Sequence, residues 1–239
     1  MRFFLKFPFR LALFWCFATL LPGSLALSAK EPKSGKPDGK PLLRIVCVTS
    51  LEDGQEIVIA SRDEDENWHE HGTTKLRSSF ISEWLPARGG DLHIAIRMDG
   101  GLRSICRFTY PSTTRRALAI LLPDSSTRTY RADVIDPAEL KFTKGLTLLV
   151  NYSPRPGAVA LGNFRTKLKP GERKIVKARP EANGMYRMMA AYANGEKELV
   201  PCYDRYVSSN LETRDIVFLL PDSTLGLKVF SLSEFGPFE

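Results

Sequence analysis

The sequence predicts an all-β protein made of two antiparallel β-sandwiches in tandem. Its apolar runs are short, often alternate with polar residues and are rich in β-branched side chains. Turn-forming residues separate these runs about every 8–20 positions, a pattern typical of antiparallel sandwiches rather than of strand–helix–strand units. Helical periodicity is weak throughout, and only residues 74–84 suggest a short turn or helix.

The apolar runs locate the expected strands. Each run combines β-branched or aromatic residues with turn signals at both ends. We therefore predict strands within residues 44–49, 57–60, 92–96, 117–122, 132–135, 146–152, 174–178, 216–220 and 227–232.

Two pairs of segments recur along the chain in the same order. LRIVCVTS at residues 43–50 is matched by LTLLVNYS at residues 146–153, and LLPDSST at 121–127 is matched by LLPDST at 219–224. A recurrence in one order and at a similar span predicts an internal duplication. The aspartates of both Leu-Pro-Asp-Ser segments are expected to accept backbone N–H bonds within their own turns.

Between these landmarks each half has a hairpin dipeptide followed by a cysteine. Asp99-Gly100 and Asn194-Gly195 are strong hairpin signals, because both central residues of a tight hairpin turn need positive φ. We predict two immunoglobulin-like sandwiches related by duplication, one over residues 43–138 and the other over 139–239, with a joint at 137–145. One larger β-sandwich, in which the two copies interlock, is the alternative.

The first 29 residues have the features of a signal peptide. Basic residues (Arg2, Lys6 and Arg10) precede an apolar run at residues 11–21, and small residues follow a Pro-Gly break. This run is short for a membrane span, which needs roughly 20 apolar residues. Residues 1–29 are therefore predicted to be cleaved, and the protein to be secreted or periplasmic. An uncleaved membrane anchor is the alternative.

The segment after the predicted signal peptide is too polar to bury. Residues 30–42 are rich in Lys, Pro and Gly, which predicts a flexible linker. No later segment is long and apolar enough to span a membrane as a helix. We therefore expect no transmembrane span after cleavage.

The charge distribution argues against a nucleic-acid binder. The formal net charge is +7, of which the predicted signal peptide supplies three units. Residues 44–143 hold 13 basic and 15 acidic side chains, and residues 144–239 hold 14 basic and 10 acidic ones. This excess of +4 in the second half is mild compared with the strong basic patch of proteins that bind nucleic acid.

Cysteines and histidines are few. Cys47, Cys106 and Cys202 remain after the predicted cleavage, and an exported protein tends to oxidise a close pair. Cys47 and Cys106, both in the first half, are the possible disulfide; three separate buried thiols are the alternative. The chain has three histidines, all in the first half, so the second half has no imidazole base.

A cluster of potential metal ligands lies at residues 63–71, with the sequence DEDENWHEH. His69 and His71 would share one face of an extended strand, and Asp63 and Asp65 could complete a site for a divalent ion. The segment also begins like a calcium loop, but Trp68 replaces the required glycine. A solvated acidic loop is the alternative.

A basic ridge is predicted in the second half. Positive side chains alternate along this stretch, and such a ridge could hold a polyanion. The same pattern is typical of the solvent-exposed face of a sheet, where lysines discourage aggregation. The residues of this ridge are Arg165, Lys167, Lys169, Arg173 and Lys174.

No common catalytic motif occurs in the sequence. It has no G-x-S-x-G elbow, phosphate-binding loop, dinucleotide fingerprint or H-E-x-x-H helix. We therefore expect no catalytic residues and no cofactor. The sequence favours an exported, non-enzymatic binding or structural module of the cell envelope or of a secreted assembly, with an unknown protein or glycan partner and no nucleic acid. The alternatives are a metal-dependent hydrolase centred on residues 63–71 and a polyanion-binding surface protein.

Overall fold

Alternating apolar residues place strands along nearly the whole described chain. The computed structural model describes residues 39–178, 180, 184–195, 198–236 and 238. The predicted signal peptide and most of the predicted linker lie outside these residues. The described part is all β, as the sequence predicts, and none of it is helical.

The first half contains nine of the strands. They are β1 (Leu42–Cys47), β2 (Glu56–Arg62), β3 (Trp68–Lys75), β4 (Phe80–Ile81), β5 (Leu85–Pro86), β6 (Gly90–Met98), β7 (Gly101–Tyr110), β8 (Arg116–Asp124) and β9 (Thr129–Ile135). β4, β1, β8 and β9 form inner sheet 1, in which β5 also pairs with β1. β3, β2, β6 and β7 form outer sheet 1.

The second half contains the other eight described strands. They are β10 (Thr147–Asn151), β11 (Gly157–Leu161), β12 (Phe164–Leu168), β13 (Arg173–Val176), β14 (Met185–Asn194), β15 (Glu198–Ser208), β16 (Thr213–Asp222) and β17 (Gly226–Phe235). β13, β10, β16 and β17 form inner sheet 2, and β12, β11, β14 and β15 form outer sheet 2.

The pairing scheme of the first half recurs in the second. In both inner sheets the first strand pairs in parallel with the next-to-last strand, β1 with β8 and β10 with β16. All other neighbours are antiparallel, and both outer sheets have the same order of corresponding strands. The register sets Cys47 beside Leu121 and Asn151 beside Leu219. Cys47 and Asn151 therefore hold corresponding positions.

Each half has its own hydrophobic core, and a third core lies between the halves. Ile45 of β1 packs in the first core, whereas Val46, on the opposite face, packs in the third. Likewise, Leu149 of β10 packs in the second core and Leu148 in the third. The inner sheets are thus buried on both faces. The described residues from Gly39 onward form one compact unit.

The segment between the halves is part of this packing. It lies between the end of β9 and the start of β10 and forms turns. Phe142 is 1% exposed and belongs to the third core. Its carbonyl oxygen accepts a hydrogen bond of 2.9 Å from Arg214 Nη1.

The hairpins occur where the dipeptides predict them, but with a different backbone in the first. β6 and β7 pair from Met98 and Gly101 outward, around Asp99-Gly100. The positive φ, 113°, is at Gly101 rather than within the dipeptide. In the second half Asn194 pairs with Glu198, and Gly195 has a φ of 79°.

The possible helix at residues 74–84 is not formed. The segment instead contains the end of β3, a turn with Ser79 at a φ of 61°, and the short strand β4. Among the described residues there is no helix that is long and apolar enough to cross a membrane.

Candidate binding surface

Outer sheet 2 has a trough of small side chains on its solvent face. Val159 and Leu161 of β11 pack in the second core, so the alternating residues Ala158 and Ala160 face outward. On β14, Met188 and Ala190 face the core. By the same alternation, Met189 and Ala191 face outward.

Strand register builds the trough in two rows across the sheet. Lys167, Ala158, Ala191 and Pro201 form one row, and Arg165, Ala160, Met189 and Asp204 form the other. The central strands, β11 and β14, contribute three alanines and Met189. The outer strands, β12 and β15, contribute the residues at the two sides. The result is an apolar groove of about 660 Å³, walled by β12 on one side and β15 on the other.

The two walls differ in charge. Asp204 is bound by Arg187, whose Nε and Nη2 donate to the carboxylate over 2.7 and 2.5 Å. Arg165 and Lys167 are exposed and form no ion pair with any described residue. The β12 wall therefore offers two uncompensated positive charges beside an apolar floor.

The rest of the predicted basic ridge lies elsewhere. Arg173 forms an ion pair with Asp133 of the first half. Lys174 Nζ lies 3.2 Å from a carboxylate oxygen of Glu172, and Lys169 is exposed in the turn before β13. Only Arg165 and Lys167 of the five ridge residues line the trough.

Lys174 also restricts access to the free edge of β12. Its Nζ donates to Thr166 Oγ1 over 3.0 Å and to the carbonyl oxygen of Lys167 over 2.7 Å. A partner strand is therefore less able to pair with this edge. The open face of outer sheet 2, rather than its edge, is the accessible feature.

The residues of the predicted metal cluster form a turn, in which His69 and Asp63 are joined by a hydrogen bond. Asp63 Oδ1 accepts hydrogen bonds from the backbone N–H groups of Asp65 and Asn67, over 3.0 and 2.8 Å. His69 Nε2 lies 2.9 Å from Asp63 Oδ2, and this bond, with that to the Asn67 backbone, lowers the pKa of Asp63. The Asp65 side chain is exposed.

A β-bulge interrupts the alternation of His69 and His71 along β3. The register between β2 and β3 shifts at Ile59 and Ala60, so the simple alternation expected of His69 and His71 is interrupted. His71 Nε2 lies 3.0 Å from the buried Ser61 Oγ, and its pKa is lowered mainly by burial.

His93 belongs to a different contact set on outer sheet 1. Its Nδ1 lies 2.9 Å from Ser104 Oγ, and its ring packs edge-on against Trp68, with 5.2 Å between ring centroids. Burial is the main cause that lowers the pKa of His93. Across the described chain, no three His, Cys, Asp or Glu side chains are grouped so as to hold a metal ion.

The cysteines are free thiols in the structure. Cys47 and Cys106 are both buried in the first core, and Cys202 is half-buried beside the second. Burial, with the charge of Asp53 as a smaller cause at Cys47, raises the pKa of both Cys47 and Cys106 to about 12.

The comparisons with known proteins add no relative. No family model matches this chain, and no curated protein matches it significantly.

The sequence pattern identified one wall of the trough and missed its floor. Arg165 and Lys167 were visible as alternating charges. The floor consists of alanines on β11 and β14, which resemble ordinary strand residues. The sequence does contain a signal for the floor. Ala158, Ala160 and Ala191 are small residues at outward positions of β11 and β14, where larger polar side chains are usual.

Proposed function

We propose that this protein is an exported, non-enzymatic binding module that holds an extended, acidic segment of a partner protein in the trough of outer sheet 2. The observation that carries the proposal is the apolar floor beside two uncompensated positive charges. Arg165 and Lys167 attract carboxylates, while the floor takes apolar side chains. An extended chain presents both, because successive side chains point to opposite sides.

The composition of the floor favours a polypeptide over a glycan. Alanine, methionine and proline form most of it, and they offer few hydrogen bonds to sugar hydroxyls. Apolar side chains, by contrast, gain about 25 cal/mol per Å² of apolar surface that they bury. A partner of the cell envelope or of a secreted assembly that alternates acidic and apolar residues fits this surface best.

The proposed architecture is a duplicated, immunoglobulin-like sandwich. The recurring strand order and the sequence R-x-x-x-x-L-L-P-D, which begins at Arg116 and again at Arg214, support a duplication. The boundaries at residues 43–138 and 139–239 stay a prediction. Export rests on the signal-peptide pattern of residues 1–29, which predicts a secreted or periplasmic location.

Charge reversal in the trough tests the proposed function. We would measure, by fluorescence anisotropy, the binding of a labelled ten-residue peptide of alternating Glu and Val, with a Lys and Val peptide for comparison. The double variant Arg165→Glu/Lys167→Glu should weaken binding of the acidic peptide at least about tenfold, since each lost charge contact contributes on the order of 1 kcal/mol.

A matched control separates the trough from general electrostatics. Lys75→Glu/Arg77→Glu makes the same change in net charge at exposed positions of the first half and should leave binding within about twofold. Equal losses in both double variants would contradict the proposal. So would equal affinity of the wild-type protein for the acidic and the basic peptide.

A further inference from the structure

An ionic cluster lies at one end of the third core, where the two inner sheets meet. Arg44 of β1 and Arg214 of β16 face each other there, with side chains 12% and 3% exposed. Glu234 of β17 lies between them and is fully buried. Arg116 of β8 and Trp84 complete the cluster, because both Arg44 and Arg116 lie over the Trp84 ring.

Glu234 is shared by two of the three arginines. Its Oε1 accepts a bond of 2.8 Å from Arg44 Nη1. Its Oε2 accepts bonds of 2.9 and 2.5 Å from Nε and Nη2 of Arg214. The cluster thus holds three guanidinium groups and one carboxylate, a net charge of +2 among these four residues.

Arg116 lacks the acid that its counterpart has. The two R-x-x-x-x-L-L-P-D sequences place Arg116 and Arg214 at corresponding positions. β17 extends far enough for Glu234 to pair with Arg214, whereas β9 ends at Ile135, opposite Leu118. The position that corresponds to Glu234 is Pro137, which has no charge to offer.

Several donors around Trp84 have no acceptor. Nε of Arg44, Nη1 of Arg116 and Nε1 of Trp84 are buried and donate to no described residue. The guanidinium carbons of Arg44 and Arg116 lie 4.6 and 5.4 Å from the centroid of the same Trp84 ring. Two guanidinium groups with unpaired donors therefore lie against one indole, whose own N–H is also unpaired.

Leaving these groups unpaired is costly. A buried donor without a partner has lost its hydrogen bonds to water and gained none in return, and the cost is greater when the donor is charged. The neighbouring cations add repulsion: burial is the main cause that lowers the pKa of Arg214, and Arg44 and Arg116 lower it further. The cluster therefore has both the charge and the directed donors to hold an anion.

We propose that Arg44, Arg116 and Trp84 form a binding site for a phosphate-class oxyanion at the junction of the two halves. Guanidinium groups match phosphate oxygens with paired N–H donors. A phosphate carries about −1.5 to −2 charges at neutral pH and would offset the excess of the cluster. The bound oxyanion would join residues of the first half to the Arg214–Glu234 pair of the second.

Thermal unfolding with inorganic phosphate tests this site. At a phosphate concentration about 100 times the dissociation constant, the melting temperature should rise by at least about 5 °C over chloride at equal ionic strength. Arg116→Gln should abolish this rise. In phosphate-free buffer the same variant should melt no lower than the wild type, because the Arg116 side chain donates no hydrogen bond to a described residue, and the repulsion that its removal relieves outweighs the lost contact with the Trp84 ring.

Three results would overturn the proposal. They are no rise beyond that given by chloride, an equal rise in Arg116→Gln, and a variant that melts several degrees lower without phosphate while still responding to it. Trp84→Phe provides a second test, since it keeps a smaller aromatic ring beside the arginines and removes the N–H donor. It should weaken phosphate binding several-fold, as measured by titration calorimetry.

Two further arms identify the source of the oxyanion. Glycerol phosphate presents the group as a monoester, and inorganic phosphate presents it free. Equal rises with both place the group at the protein surface, where a larger phosphorylated molecule can reach it. A rise with inorganic phosphate alone assigns the site to the free ion. Arg165→Gln, in the distant trough, serves as a control and should retain the full response.

Discussion

At the scale of single residues, Asn151 holds the second core together. Its side chain is fully buried and donates to the carbonyl oxygens of Arg155 and Leu168 over 2.9 and 3.1 Å. Its Oδ1 accepts from the backbone N–H and the hydroxyl of Ser153 over 3.0 and 2.7 Å. The corresponding position of the first half is Cys47, which needs no such partners.

Asn151→Ala should destabilise the protein by about 3 kcal/mol. The change leaves the Leu168 carbonyl group and the Ser153 backbone N–H without their bonds to this side chain, and each unpaired buried group costs about 1–3 kcal/mol. Urea unfolding followed by circular dichroism measures the difference. Asn163→Ala, at an exposed turn, is the control and should stay within about 0.5 kcal/mol of wild type. Equal losses in both variants would contradict the assigned role.

Local chemistry made some residues predictable from the sequence and others not. Asp124 Oδ1 accepts from the backbone of Ser126, and Asp222 Oδ1 from Thr224 and Leu225, as expected from their turns. The Ser126 hydroxyl, followed by the Ser126 backbone N–H, lowers the pKa of Asp124, and the backbone N–H groups of Leu225 and Thr224 lower the pKa of Asp222. Whether Arg116 and Arg214 have an acidic partner depends instead on where β9 and β17 end, which no local pattern encodes.

At the scale of elements, the first residue of β11 packs closely against inner sheet 2. A Cβ atom at Gly157 would lie 2.4 Å from Leu219 Cδ1 and 3.7 Å from Leu227 Cδ1. Gly157 therefore permits the close approach of outer sheet 2 to inner sheet 2.

Gly157→Ala should destabilise the protein by about 2 kcal/mol, because the added methyl group overpacks the core. The midpoint of urea unfolding measures it. Gly100→Ala is the matched control: a Cβ atom there meets nothing within 4 Å, so the midpoint should change little. A Gly157→Ala variant as stable as Gly100→Ala would show that the core can yield at this position.

Strand positions followed from the sequence, but their irregularities did not. All nine predicted runs lie largely in strands, because alternation of apolar residues is set by the pleat. β4 and β5, with two residues each, are too short to show any period. The bulge in β3 also leaves no pattern in the sequence. It interrupts the simple alternation that was expected of His69 and His71.

At the scale of the molecule, the third core joins the halves. Phe218 of β16 is fully buried there and stacks between Tyr152 and Phe230, with ring centroids 6.1 and 6.3 Å apart. Val46 and Ile120 of the first half belong to the same core. The sequence contained a sign of this contact, since the run of residues 117–122 is apolar without alternation, as expected when both faces are buried.

Phe218→Ala should weaken both halves together. The loss of a buried phenylalanine costs about 3–5 kcal/mol. Because Trp84 packs against the third core, the comparison is made with Trp84→Phe as background in the protein without residues 1–29. The fluorescence of Trp68 then reports the first half, and circular dichroism reports the whole chain. The two transitions should shift equally to lower urea. A fluorescence midpoint that stays at the wild-type value would show that the halves unfold separately.

The parallel pairing of β1 with β8, and of β10 with β16, has a consequence for the order of events during synthesis and export. In each half the opening strand finds its central neighbour some 70 positions later, at residues 116–121 for β1 and 215–219 for β10. Pairing across such a separation is slow, because the entropy cost of closing the loop comes before the strand contacts that offset it. A nascent chain that ends before this point cannot complete the inner sheet. In the export that we propose, this delay would keep each half unfolded, and able to pass through a translocation channel, until almost all of it has emerged.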